Sequence, residues 1–187
     1  MRIEVHVHGT LYLCKGVTLA QVENGLHKWL DYLDVASIAE ARSLEQDDPG
    51  IVFHRSDRTL EICWTGEVGR NFVHRLQETL YEIGPLTEHA SEVEVTYYYE
   101  DGRDEYQLLF VGPTAEAIHQ TQRRRMIEDV SGLLSRHFGE AEIGQVTTVV
   151  NELFDRDLER SKAAAESEAD FPQTGGSLVH FRKKHLH

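Results

Sequence analysis

Residues 3–8 read Ile3-Glu4-Val5-His6-Val7-His8, a strict alternation of apolar and polar side chains. Successive side chains on a strand point to opposite faces, so Ile3, Val5 and Val7 share one face and Glu4, His6 and His8 the other. Leu11 and Leu13 continue the strand beyond Gly9. A strand with one apolar face belongs to a sheet that is covered on that side.

The cover is written immediately downstream. Thr18 with Gln21 three residues later fits a capping box, in which the threonine oxygen takes an orphan N–H and the glutamine reaches back. Leu19, Val22, Leu26, Trp29, Leu30 and Leu33 then recur at helical spacing. Gly25 inside this helix costs about 1 kcal/mol relative to alanine, which packing must offset. The periodicity fades from Asp34, and Asp47-Asp48-Pro49-Gly50 is a turn signal. Ile51–Arg55 and Thr59–Trp64 form a hairpin about Ser56-Asp57-Arg58, with Leu60, Ile62 and Trp64 on one face and Glu61 and Cys63 on the other. Phe72, Val73, Leu76, Leu80 and Ile83 predict a second helix, stopped by Gly84-Pro85. Strands follow through Val93, Val95, Tyr97 and Tyr99, then Tyr106–Val111, around Asp101-Gly102. The order β-α-β-β-α-β-β predicts an α+β, ferredoxin-like antiparallel sheet over residues 1–112, with both helices on one face.

After Gly112-Pro113-Thr114 the character changes. Ile118, Ile127, Val130, Leu133, Leu134 and Phe138 mark one amphipathic helix, and Gly139 ends it. Ile143, Val146, Val149, Val150, Leu153, Phe154 and Leu158 mark another. Residues 113–165 therefore read as a helical hairpin, packed on the sheet or on a second copy of itself. Residues 166–187, rich in Ala, Glu and Ser and then basic at Arg182-Lys183-Lys184, read as a disordered basic tail.

Composition narrows the function classes. The 187 residues carry 32 acidic against 19 basic side chains, a formal net charge of −13. Such a field repels nucleic acid and anionic membrane. No apolar run approaches membrane-spanning length, and the N-terminus lacks the apolar core of a signal peptide, so the expectation is a cytoplasmic protein. Two cysteines, Cys14 and Cys63, make neither a CxxC pair nor a disulfide framework.

The residues able to carry chemistry lie on the polar sheet face. If the first and third strands are neighbours, His6 and His8 lie beside Glu61 and Cys63, two imidazoles, a carboxylate and a thiol competent to hold zinc. Alternate residues of one strand stand about 6.5–7 Å apart, so ligation demands favourable rotamers, and semi-polar residues awaiting a cover are the plainer account. Arg123-Arg124-Arg125 forms a basic cluster that can meet phosphate or an acidic partner, although pairing with Glu128 or Asp129 on the same helix competes. Gly112-Pro113-Thr114 offers helix N–H groups to an anion but matches no nucleotide fingerprint, and ordinary capping suffices. Tyr97-Tyr98-Tyr99 has the aromatic content of an RNA-stacking platform, but glutamates surround it. No nucleophile with its base is recognisable among the 11 histidines.

Three stretches, His6-Val7-His8-Gly9-Thr10, Leu60-Glu61-Ile62-Cys63-Trp64-Thr65 and Leu109-Phe110-Val111-Gly112-Pro113-Thr114 followed by Glu116-Ala117-Ile118, together resemble a proteobacterial family of unknown function over about residues 3–155. The resemblance implies a bacterial or mobile-element origin and no activity. The residues themselves point to a non-catalytic binding or regulatory protein acting through protein–protein contacts, with a second copy as one partner and a basic protein, masked by an acidic inhibitor, as another. The alternative is a metal-dependent enzyme using His6, His8, Glu61 and Cys63 with zinc.

Overall fold

The structure, a computed structural model, describes residues 2–168 and 180–182, with side chains through residue 161. It is α+β. Strand β1 (Ile3–Tyr12) leads through helix α1 (Leu19–Leu33) to the hairpin β2 (Gly50–His54) and β3 (Thr59–Val68). Helix α2 (Phe72–Ile83) leads in turn to β4 (Ser91–Tyr98) and β5 (Glu105–Val111). The strands are antiparallel in the order β2-β3-β1-β4-β5, and three residues, His180–Arg182 (β6), pair with the outer edge of β5. This sixth strand is one more than the sequence predicts. It lies inside the segment read as a disordered tail; the rest of that segment, past the end of helix α4 (Glu140–Glu168), is outside the described residues.

The alternation in β1 does what it implied. Val5, Val7 and Leu11 are fully buried, as are Leu60 and Ile62 of β3 and Val93 and Val95 of β4. Facing them are Val22, Leu26 and Trp29 of α1 and Phe72, Leu76, Leu80 and Ile83 of α2. Each of these side chains contributes about 1.5–3 kcal/mol by leaving water. Trp29, Trp64 and Phe72 interlock at the centre, with ring centroids 5.5–6.1 Å apart.

Both ends of α1 follow from local chemistry. The Thr18 hydroxyl accepts from the Gln21 backbone N–H at 3.3 Å and the Gln21 side-chain Oε1 accepts from the Thr18 N–H at 3.0 Å, completing the capping box. Asp34 turns left-handed (φ 57°) to end the helix. Gly25 sits against α2, where a β-carbon would stand 3.3 Å from the Ile83 side chain. Its helical penalty is the condition for close packing of the two helices.

Residues 116–168 belong to a second compact unit, whereas β6 belongs to the first. Helix α3 (Ala115–Leu134) is followed by α4, and the two touch through Arg123 with Asn151 and Asp155. Phe138 was expected on the first helix, but α3 stops at Leu134. The amides of His137 and Phe138 both donate to the Leu134 carbonyl, a tightened last turn, and the Ser135 hydroxyl bonds the Gly132 carbonyl.

Candidate functional site

The polar face of the sheet gathers most of the reactive side chains. In register, His6 of β1 lies opposite Thr65 of β3, and His8 opposite Cys63. The two imidazoles stack with centroids 6.2 Å apart. Glu61 shares the face but lies opposite Thr10, and its carboxylate meets His54 Nε2 at 3.0 Å instead of turning toward His8. Of the four expected residues, His6 and His8 stand together, while Glu61 turns to His54 and Cys63 to Asp48. Among the described residues no group of three or more His, Cys, Asp or Glu side chains is disposed to hold a metal ion.

What completes the cluster is Asp48, from the loop between α1 and β2. Pairing of β2 with β3 ends at Gly50 opposite Cys63. Beyond that point the loop takes over the exposed edge of β3: the Leu44 N–H donates to the Thr65 carbonyl at 2.8 Å, and the Trp64 indole N–H donates to the Arg42 carbonyl at 3.1 Å. This docking carries Ser43 and Asp48 onto the polar face. Asp48 Oδ2 accepts from Ser43 Oγ at 2.9 Å and from Thr65 Oγ1 at 2.8 Å, and Oδ1 accepts from Cys63 Sγ at 3.4 Å.

The proton positions follow from donor counting. Ser43 Oγ accepts from the Thr65 backbone N–H at 2.8 Å, so its own proton is free for Asp48. Thr65 Oγ1 likewise donates to Asp48, and so must accept from His6 Nδ1 at 2.8 Å. The chain His6 Nδ1–H to Thr65 to Asp48 selects the tautomer that leaves the lone pair on His6 Nε2. Burial alone raises the Asp48 carboxyl, but hydrogen bonds from Thr65, Ser43 and Cys63 and the nearby imidazole of His6 outweigh it and hold the group below its ordinary 3.8. The Cys63 thiol moves up, first through burial and then through its bond to Asp48. The protonated thiol is the form that donates to Asp48 Oδ1.

The cluster is thus a fastener between loop and sheet. Asp48→Ala is expected to destabilise the fold by about 1–3 kcal/mol, because three donors lose their shared acceptor. The sign of its pH dependence follows from the lowered value: the carboxylate's contribution is present above about pH 4 and fades as pH falls through the folded pKa. Thermal melts of both proteins should converge in acid; a gap that stays constant down to pH 2 would deny the carboxylate this role.

The basic cluster of α3 is engaged within its own unit. Arg123 Nε and its terminal nitrogen reach Asn151 at 2.6 Å and Asp155 at 2.7 Å on α4, Arg125 meets Asp129 at 3.2 Å, and Arg124 lies 4.0 Å from Glu128. Arg123 acts as a clamp between the two helices, beside the ring contact of His119 with Phe154. The three tyrosines do not form a platform: Tyr97 points into the core and Tyr98 to solvent. Neither the interhelix role of Arg123 nor the arrival of Asp48 is legible in the sequence; for Asp48 the signal lies in Asp47-Asp48-Pro49-Gly50, which reads as a turn.

No curated protein and no solved structure matches the chain. No helix of the described residues is long and apolar enough to cross a membrane. A family model matches residues 3–155, taking in strands β1–β5, the fastening loop, α3 and α4 through Asp155, and the protein belongs to this family of unknown function, DUF6806.

Proposed function

We propose that this chain is a non-catalytic, cytoplasmic binding protein that acts through protein–protein contacts, its helical hairpin forming the contact surface. A ferredoxin-like unit carries it, a reading supported by β1 standing between β3 and β4, antiparallel to both, with β2 outside β3. The observation that carries the functional reading is a run of apolar side chains left in water on the hairpin: Val146, Val149 and Leu153 on α4, with Leu133 and Phe138 at its turn. Exposed apolar groups on the first unit, such as Tyr12, Leu19, Leu44 and Tyr98, fall singly on separate elements. Contiguous exposure marks interaction surfaces, and scattered exposure does not. The polar cluster supports the same reading from the other side, since its carboxylate, hydroxyls and thiol are consumed by one another.

A photo-crosslinking amino acid placed in turn at positions 149, 153, 8 and 98 of the full chain tests this in the native host. Discrete protein adducts are expected from 149 and 153 and not from 8 or 98. Adducts confined to the sheet positions would move the contact surface off the hairpin and end this reading.

A further inference from the structure

We infer that the partner of α4 is α4 of a second copy of this chain, packed antiparallel about a two-fold axis at Val149; this rests on the binding reading above and names its partner. At 3.6 residues per turn, Ile143, Thr147, Val150, Phe154 and Leu158 fall within about 80° of arc on α4. That stripe is half-buried and is the one turned to α3, through Phe154 against His119 and Asn151 against Arg123. Val146, Val149 and Leu153 form a second stripe, about 110° round the helix, 39%, 53% and 52% exposed. A helix that needs only one neighbour has no use for a second apolar stripe.

The charges around that stripe say which neighbour fits. An isologous contact sets residue against residue reciprocally, so positions equidistant from the axis face each other. Val149 then meets its own copy, and Val146 interdigitates with Leu153 on either side. Glu142 and Arg156 each stand two turns from Val149, on the side of the second stripe, and so meet as two identical opposite-charge pairs. Neither has an ion-pair partner among the described residues; Arg156 bonds only the Glu152 carbonyl one turn back. Parallel packing would instead set Glu142 against Glu142 and Arg156 against Arg156. Charge complementarity therefore selects both the second copy and its direction.

Sedimentation of the full chain over a range of concentrations tests the inference. A reversible dimer is expected. Val149→Glu places two carboxylates on the axis and should weaken association about a hundredfold or more, with unchanged helical circular dichroism. Glu142→Arg or Arg156→Glu alone should weaken it about tenfold, and the double exchange should restore it, because each pair is rebuilt with reversed polarity. A chain that stays monomeric, or a dimer indifferent to Val149→Glu, or charge exchanges that add without compensating, overturns the inference. If the monomeric chain still crosslinks a host protein through position 149, the binding reading survives with a different partner; if neither association occurs, both fall.

Discussion

Trp29→Ala is expected to lower the unfolding free energy by about 3–5 kcal/mol, a fall in Tm of roughly 6–20 °C. Trp29 has no exposed surface and touches both Trp64 and Phe72, so its removal opens a hole at the point where α1, α2 and β3 meet. The cause is separable from polarity. The Trp29 indole N–H is buried without an acceptor among the described residues, so the ring stabilises by volume and contact and not by its nitrogen. Trp29→Phe keeps most of the volume and removes the unsatisfied donor, and should cost no more than about 1.5 kcal/mol. Chemical denaturation of the three proteins gives the comparison; equal losses for phenylalanine and alanine would show that the aromatic cluster is not what holds this junction.

The second large effect is expected at Gly66. A β-carbon there would stand 2.2 Å from Trp64 Cη2 and 2.3 Å from Cζ2, well inside contact distance. A flexible neighbour would swing away, but the Trp64 indole is fixed by Trp29 on one side, Phe72 on the other and the Arg42 carbonyl at its nitrogen. Gly66→Ala is therefore expected to destabilise by about 3 kcal/mol, the upper end for overpacking, and to change the near-ultraviolet dichroism of the tryptophans. Shortening the obstructing ring should relieve the conflict: in a Trp64→Phe background the same alanine should cost distinctly less. Additive losses in the two backgrounds would place the strain somewhere other than the indole.

These two positions also mark the reach of sequence reading. Trp29 was legible as a core residue, since it recurs with Leu26 and Leu33 on a 3.6-residue period behind a capping box. The strand face of Trp64 was legible too, through Leu60 and Ile62. Yet the predicted strand ended at Trp64, whereas β3 runs on to Val68, because a glycine leaves no side chain to register in an alternation. That shortfall hid Thr65, and with it the relay from His6 to Asp48. Asp48 itself is beyond reach for a different reason: its loop has no period, and its destination is fixed by the Leu44 N–H bonding the Thr65 carbonyl and the Arg42 carbonyl accepting from the Trp64 indole, on a strand some twenty residues away. Glu61 and Cys63 were placed on the correct face, but which neighbour each side chain chooses depends on register and on His54 and Asp48, neither of which alternation reports. Similarly, the exposed stripe on α4 was counted with the core stripe, since both satisfy helical spacing and only burial separates them.

The way the loop between α1 and β2 seals β3 bears on how this protein fails. Where β2 stops, the peptide of Leu44 occupies a donor-and-acceptor row that would otherwise be open to any passing extended chain. The seal hangs on a few bonds within a surface loop, so a single proteolytic nick near Glu45 is expected to bare the row. Damage of that kind is expected to leave a molecule prone to recruit others edge to edge, read as slow fibrillar growth.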